Sequence, residues 1–197
     1  MKIAIIKYNA GNIFSVKCAL NRIGVESIIT DKREEILCAD KVIFPGVGEA
    51  SSAMQYLRDH KLDEVIKSVT KPLLGICIGQ QLLCSHSEEG DVDCIGIFNA
   101  NVVKFKDSDK NHKIPQLGWN TIHQTKENPL ITSNLDSKFV YYVHSYYVPV
   151  CTDTIATTEY IVPFSAALCK NNFFATQFHP EKSGDIGEMT LKNFIAL

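Results

Sequence analysis

A cysteine flanked by glycines is the first chemistry this sequence offers. The stretch Pro72-Leu73-Leu74-Gly75-Ile76-Cys77-Ile78-Gly79-Gln80-Gln81-Leu82 opens as a short apolar run, turns at Cys77 and continues as a helix-like segment. Small residues two before and two after the cysteine let the backbone bend sharply, as in the Gly-x-nucleophile-x-Gly elbow. Such an elbow lifts a side chain off a strand end and aims the first N–H groups of the next helix at whatever the sulfur attacks. One stretch can then supply a nucleophile and half of an oxyanion hole. A buried thiol on a strand-to-helix turn gives the same local pattern, because free cysteine is often a small core residue. A nucleophilic thiol needs a base, and the base needs a group to orient it. Among six histidines, His179 has that context: Gln177-Phe178-His179-Pro180-Glu181 ends a strand, and a carboxylate follows two residues on. The proline fixes the turn, and Glu181 can hold the second ring nitrogen. His60, His86, His112, His123 and His144 lie in stretches without a second supporting feature, His144 being the partial exception.

These residues need a scaffold, and the chain pattern describes one. Lys2 to Lys7 is a nearly continuous apolar strand of the kind buried in parallel sheets. The turn Tyr8-Asn9-Ala10-Gly11-Asn12 follows, with Asn12 as N-cap of a helix through Phe14, Val16, Ala19, Leu20 and Ile23 that Gly24 closes. Further strands are expected at Glu26 to Ile29, Lys41 to Phe44 and Leu73 to Ile76, with helical sequence at Arg33 to Leu37, Glu49 to His60 and Leu62 to Val69. This alternation implies a parallel sheet with helices on both faces. Functional loops then gather at the carboxyl ends of the strands: Tyr8 to Asn12, Pro45 to Gly48, and the Cys77 elbow.

From about Cys94 the chain becomes β-rich and short-linked, with strands expected at Cys94 to Phe98, Asn101 to Phe105, Phe139 to Val148, Thr154 to Tyr160, Ser165 to Cys169 and Phe173 to Phe178. Asn171-Asn172 reads as a tight hairpin turn, Asp107 to Lys113 as a solvated charged loop, and Asp185 to Leu197 as a closing helix. These strands read as mixed or antiparallel additions and not as a second domain, so residues 1–197 are expected to form a single domain.

Composition narrows the class. The chain has 197 residues, 45% hydrophobic, with 20 basic against 22 acidic residues and a net charge of -2. That suits one domain with a real core, and no basic field points to nucleic acid. No segment reaches the length of a membrane span, and the apolar run at the N-terminus is short for a signal peptide, so a soluble cytoplasmic protein is expected. The seven cysteines (Cys18, Cys38, Cys77, Cys84, Cys94, Cys151, Cys169) are odd in number and contain no C-x-x-C pair. Neither a disulfide framework nor a metal site is indicated. All but Cys77 read as packing residues, and no cofactor is expected.

Taken together, the elbow and the Gln177-to-Glu181 segment resemble the class I (triad-type) glutamine amidotransferases. Tyr8-Asn9-Ala10-Gly11-Asn12, Pro45-Gly46-Val47-Gly48, Pro115-Gln116-Leu117-Gly118-Trp119-Asn120, Val143-His144-Ser145-Tyr146-Tyr147 and Glu181-Lys182-Ser183 are similar, in order along almost the whole chain, to the glutaminase subunits of imidazole glycerol phosphate synthase. The resemblance implies a flavodoxin-like fold, a mostly parallel central sheet flanked by helices with an added antiparallel β portion. It implies that Cys77 attacks the side-chain amide of L-glutamine, that His179 carries protons and that Glu181 orients it. It implies an oxyanion hole from Ile78 and the Gly46-Val47-Gly48 loop, which reorients under the influence of a partner subunit. Substrate would be held by Gln81, Glu89, Ser145 and Tyr146. The ammonia would pass to a (β/α)8-barrel cyclase subunit that makes imidazole glycerol phosphate and aminoimidazole carboxamide ribotide in histidine biosynthesis. Asn12, Trp119 and Asn120 match positions at that interface. Gly118 and Asn120 suggest that Trp119, the only tryptophan, lies on a loop, core packing being the alternative. The sequence departs from the family at Gln80, where methionine is common, at Gln116, where histidine is common, and at Lys7-Tyr8-Asn9. These positions are expected near the active-site edge and the partner face. None touches Cys77, His179 or Glu181, so the departures leave the glutaminase intact and leave open a paralogous synthase in surface-sugar amination. A catalytically silent scaffold is the alternative from another class, against which all three triad residue types are present.

Overall fold

Strands whose residues are apolar in unbroken succession must be covered on both faces, and this dictates the architecture. The computed structural model describes residues 1–9, 12–106 and 113–197. In its first part β1 (Ile3–Ile6), α1 (Ile13–Arg22), β2 (Ser27–Thr30), α2 (Arg33–Leu37), β3 (Lys41–Gly46), α3 (Ala50–Asp59), α4 (Leu62–Lys67), β4 (Leu73–Cys77) and α5 (Ile78–Leu82) alternate. There follow β5 (His86–Ser87), β6 (Val92–Asp93), β7 (Asn101–Lys104), β8 (Gln116–Thr121), β9 (His123–Gln124), β10 (Phe139–His144), β11 (Tyr146–Tyr147), β12 (Thr154–Tyr160), β13 (Val162–Lys170), β14 (Phe173–Thr176) and α6 (Gly184–Ala196). The central sheet has the order β2-β1-β3-β4-β14-β13-β12-β9. The five strands from β2 to β14 run parallel, and β13, β12 and β9 add antiparallel neighbours.

Successive side chains of each parallel strand enter opposite cores. Ala4 and Ile6 of β1, Val42 and Phe44 of β3 and Leu73 of β4 join Met54, Leu57, Val65 and Ile66 of α3 and α4 on one face. Ile3, Ile5, Ile43, Leu74 and Ile76 meet Val16, Leu20, Leu191 and Phe194 of α1 and α6 on the other. The expectation of a mostly parallel sheet between helical layers with an antiparallel extension is therefore met, as are the Arg33–Leu37 helix, the closing helix and the turn at Asn171, whose φ is 55°.

Several local expectations are overturned. Cys94 to Phe98 forms no strand. The five-residue α5 ends in carbonyls that need donors, and Ile95, Gly96 and Ile97 supply their N–H groups to Leu82, Cys84 and Leu83. The expected strand Phe139 to Val148 breaks at Ser145, because β10 pairs with β8 while β11 pairs with β7. The segment around Trp119 is strand β8 and not a loop, with Gly118 accommodated at φ 126°. Asn12 does not cap α1: at φ 71° its side chain makes no bond to the helix. Cys18 and Cys38 are exposed and so are not packing residues. Ala10 and Gly11 of the first turn, and all of the charged stretch except Lys113, lie outside the described residues.

Candidate active site

The elbow forms because β4 must turn into α5 within one residue. Cys77 takes φ 55° and ψ −110°, a backbone conformation that costs free energy and that surrounding packing must hold. The flanking glycines permit the packing. A Cβ on Gly79 would lie 2.0 Å from the Phe44 carbonyl oxygen, and one on Gly75 would lie 2.8 Å from Leu83 Cδ1. Cys77 is only 6% exposed. Its sulfur lies 3.9 Å from the Val143 carbonyl of β10 and 3.8 Å from Nε2 of Gln177. Register pairs Cys77 with Gly46, so the loop after β3 begins on the same rung as the nucleophile.

His179 and Glu181 come from the turn that follows β14, their side chains fully buried. His179 Nδ1 donates to Glu181 Oε1 at 2.7 Å. The same oxygen accepts from Asn12 Nδ2, 169 residues away. The turn itself is clamped: Ser183 Oγ donates to the His179 carbonyl at 2.7 Å and accepts the Tyr141 N–H at 3.0 Å. The His179 N–H donates to the Tyr141 carbonyl at 3.0 Å. His179 Nε2 has no hydrogen-bond partner among the described residues. Burial pushes the imidazole down, but the Cys77 sulfur and then Glu181 outweigh it and raise it to about 10. An imidazolium steadied by a carboxylate is the counter-charge a thiolate nucleophile needs.

Cys77 opens into a cavity of about 310 Å³ lined by Val47, Gly48, Ile78, Gln81, Glu89, Pro115, Val143, His144, Ser145 and Tyr146. A larger groove of about 720 Å³ around Lys126 and Pro129 holds none of these groups, so size alone does not locate the chemistry. Buried Gln81 donates to the Tyr146 carbonyl at 2.8 Å and to Gln177 Oε1 at 3.0 Å, which locks the cavity wall to the elbow helix. Glu89 Oε2 accepts the Ala50 N–H at 3.0 Å, and burial raises its carboxyl. His144 donates from Nδ1 to the Tyr146 carbonyl at 2.8 Å. Burial holds its ring down to about 4. The neutral ring therefore keeps a lone pair on Nε2, 3.0 Å from the Gln116 side-chain amide, and the NH2 group of that amide is the one that can donate to it.

The structure thus brings the thiol, most of the expected oxyanion loop and all four expected substrate residues to one cavity. Gly46 does not line it but lies beneath, against Tyr8. Asn12 has its side chain on Glu181, a role that a helix-start asparagine does not announce. Gln177 and Val143 are neighbours of the sulfur that spacing did not single out, and the only signal was a polar residue at the buried end of β14. Trp119 is 56% exposed on β8, and Asn120 donates to the Glu159 carbonyl; neither lines the cavity. Gln80 is fully buried and donates to the Ser165 carbonyl at 3.1 Å, so this departure sits in the core and not on an outer face. Among the described residues, no group of three or more histidine, cysteine or acidic residues is placed to hold a metal ion, and no helix is long and apolar enough to cross a membrane.

Comparison with known proteins adds the following. The family model for class-I glutamine amidotransferase matches residues 4–197. Imidazole glycerol phosphate synthase subunit HisH of Bacteroides thetaiotaomicron is 56% identical over 197 residues, covering 100% of both chains. Its namesake in Idiomarina loihiensis is 44% identical over 197 residues, with 100% of this chain and 98% of the relative covered. Among solved structures, a glutamine amidotransferase aligns with a TM-score of 0.74 at 16% identity, over 98% of this chain and 97% of that one. PurLQS from Thermotoga maritima gives 0.71 at 15% identity, over 99% and 97%. At such identity the two structures speak for the fold alone.

Proposed function

The chain belongs to the class-I glutamine amidotransferase family, and from that premise we propose that it is the glutaminase subunit of an imidazole glycerol phosphate synthase. The observation that carries the reading is the strained Cys77 elbow opening into a cavity, with a buried His179–Glu181 pair whose ring is raised by the sulfur's charge. Full-length likeness to relatives named as subunits of that synthase supports the pathway.

In the proposed reaction the Cys77 sulfur attacks the side-chain amide carbon of L-glutamine. The carbonyl oxygen becomes an oxyanion, taken up by the Ile78 N–H and by an N–H of the Gly46-Val47-Gly48 loop. His179 delivers a proton to the departing nitrogen, the C–N bond breaks, and ammonia leaves with a γ-glutamyl thioester on Cys77. His179, now neutral, takes a proton from water. The hydroxide attacks the thioester, and glutamate leaves as the sulfur is restored. Glu181, fixed by Asn12, keeps Nδ1 occupied so that only Nε2 exchanges protons. Half-buried Glu89 offers an anion for the substrate's α-ammonium, and the Ser145–Tyr146 segment offers polar groups for its carboxylate.

The ammonia is used efficiently if it reaches an acceptor unprotonated and before it escapes into solvent, which a second protein over the site provides: the (β/α)8-barrel cyclase. The exposed apolar face of β8 and β10, which carries Leu117, Trp119 and Phe139, suits such a partner. Mixed with glutamine alone, the subunit is expected to release little ammonia. Adding the cyclase and its nucleotide ligand is expected to raise release severalfold or more, and no stimulation would overturn the pathway. Cys77→Ala is expected to abolish glutamine-dependent turnover while the complex still uses added ammonium. Retained glutaminase activity in that variant would overturn the mechanism.

A further inference from the structure

Tyr8, two residues beyond β1, is buried and lies outside the cavity lining. Its hydroxyl has no hydrogen-bond partner among the described residues. Its ring is tilted against Phe44 with centroids 5.4 Å apart. A Cβ on Gly46 would fall 1.9 Å from the hydroxyl oxygen and 2.3 Å from Ile78 Cγ2, so the hydroxyl rests directly against the Gly46 Cα. Burial, and then the charge of Cys77, hold the phenol far above its usual range, which leaves it a neutral donor.

An unpartnered buried hydroxyl is costly, and packing does not require it, since phenylalanine would fill the same space. The Gly46–Val47 peptide suggests its use. In a trans peptide N–H and C=O point in opposite directions. An N–H of Val47 turned into the cavity toward an oxyanion therefore turns the Gly46 carbonyl away from it, into the protein. A carbonyl there must find a donor.

We infer that in the turnover state the Tyr8 hydroxyl donates to the Gly46 carbonyl, which makes Tyr8 a positioning residue for the oxyanion loop. This rests on the reading that Val47 supplies an oxyanion donor. With no partner among the described residues here and the Gly46 carbonyl as its partner once the peptide turns, the hydroxyl favours the reoriented peptide without touching substrate.

Tyr8→Phe tests this, alone and combined with Val47→Pro, which removes the N–H in question. Glutamine hydrolysis is measured in the complex with the cyclase, beside thermal unfolding of the subunit. Tyr8→Phe is expected to lower kcat about tenfold, the worth of one hydrogen bond, with KM for glutamine within twofold and a melting temperature no lower than that of the parent. In the Val47→Pro background the Tyr8→Phe effect is expected to vanish, because both act through one peptide. A Tyr8→Phe enzyme with parental kcat while Val47→Pro is impaired overturns the role of Tyr8 alone. A Tyr8→Phe enzyme of lowered melting temperature and raised KM assigns the residue to packing and also overturns it. Val47→Pro that folds and retains parental kcat overturns the oxyanion reading beneath both.

Discussion

His144 and His179 are buried imidazoles driven in opposite directions. Burial holds His144 down to about 4 from 6.5, so its folded form refuses a proton that the unfolded chain accepts. The stability this represents is complete above pH 6.5 and is lost as pH falls toward 4, roughly 3 kcal/mol over the window. The sulfur and Glu181 raise His179 to about 10 against its burial. Its contribution has the opposite sign, complete below pH 6.5 and lost as pH rises toward 10. A melting-temperature scan of the subunit is expected to peak near neutrality and fall on both sides. His144→Gln is expected to flatten the acid arm only, and an unchanged acid arm in that variant would refute the assignment. At this scale the sequence was partly legible. His179 and Glu181 are two residues apart, so a local motif announces their bond. The Asn12–Glu181 bond joins residues 169 positions apart and leaves no local trace. Asn12 read as an N-cap because asparagine suits one, yet a φ of 71° carries its side chain off the helix and onto the carboxylate.

Elements were legible where a physical constraint writes itself along the chain. The parallel strands had to be apolar on both faces, and β1, β3 and β4 were found for that reason. Strand β8 was not, because Gly118 and Asn120 are turn-forming residues, and only pairing with β10 makes Gln116–Thr121 extended. The two-residue strands β5, β6, β9 and β11 are shorter than any periodicity can reveal. Packing between elements is equally hidden, and α6 shows its consequence. A Cβ on Gly187 would lie 1.9 Å from the Pro180 carbonyl oxygen and 2.9 Å from Ser183 Cβ. The helix backbone therefore sits directly on the turn that holds Glu181. Gly187→Ala is expected to destabilise the subunit by about 1–3 kcal/mol and to lower kcat more than it changes KM. Chemical denaturation and steady-state glutaminase assays would check both, and a stable variant of parental kcat would show that the turn does not depend on α6.

For the whole molecule, the loops at the carboxyl ends of β3 and β4 and the turn after β14 meet at one edge of the central sheet, and the β8–β10 ribbon stands beside them. Its inner residues Val140, Tyr142 and His144 are buried, while Leu117, Trp119 and Phe139 are exposed, Trp119 by 56%. Trp119→Ala is therefore expected to leave the subunit's unfolding temperature nearly unchanged. It is expected to weaken the complex with the proposed cyclase partner by about 2 kcal/mol or more, the behaviour of an aromatic anchor, as titration calorimetry would report. Undiminished affinity would move the docking surface elsewhere. Tyr141 faces Trp119 across the ribbon, with ring centroids 6.0 Å apart, and Lys182 Nζ lies 5.8 Å from the Tyr141 ring centroid. The backbone of Tyr141 meanwhile holds the N–H of His179 and the hydroxyl of Ser183. Outside and inside are thus separated by a wall one residue thick. A protein leaning on its outer side needs no relay and no domain movement to be felt at the imidazole.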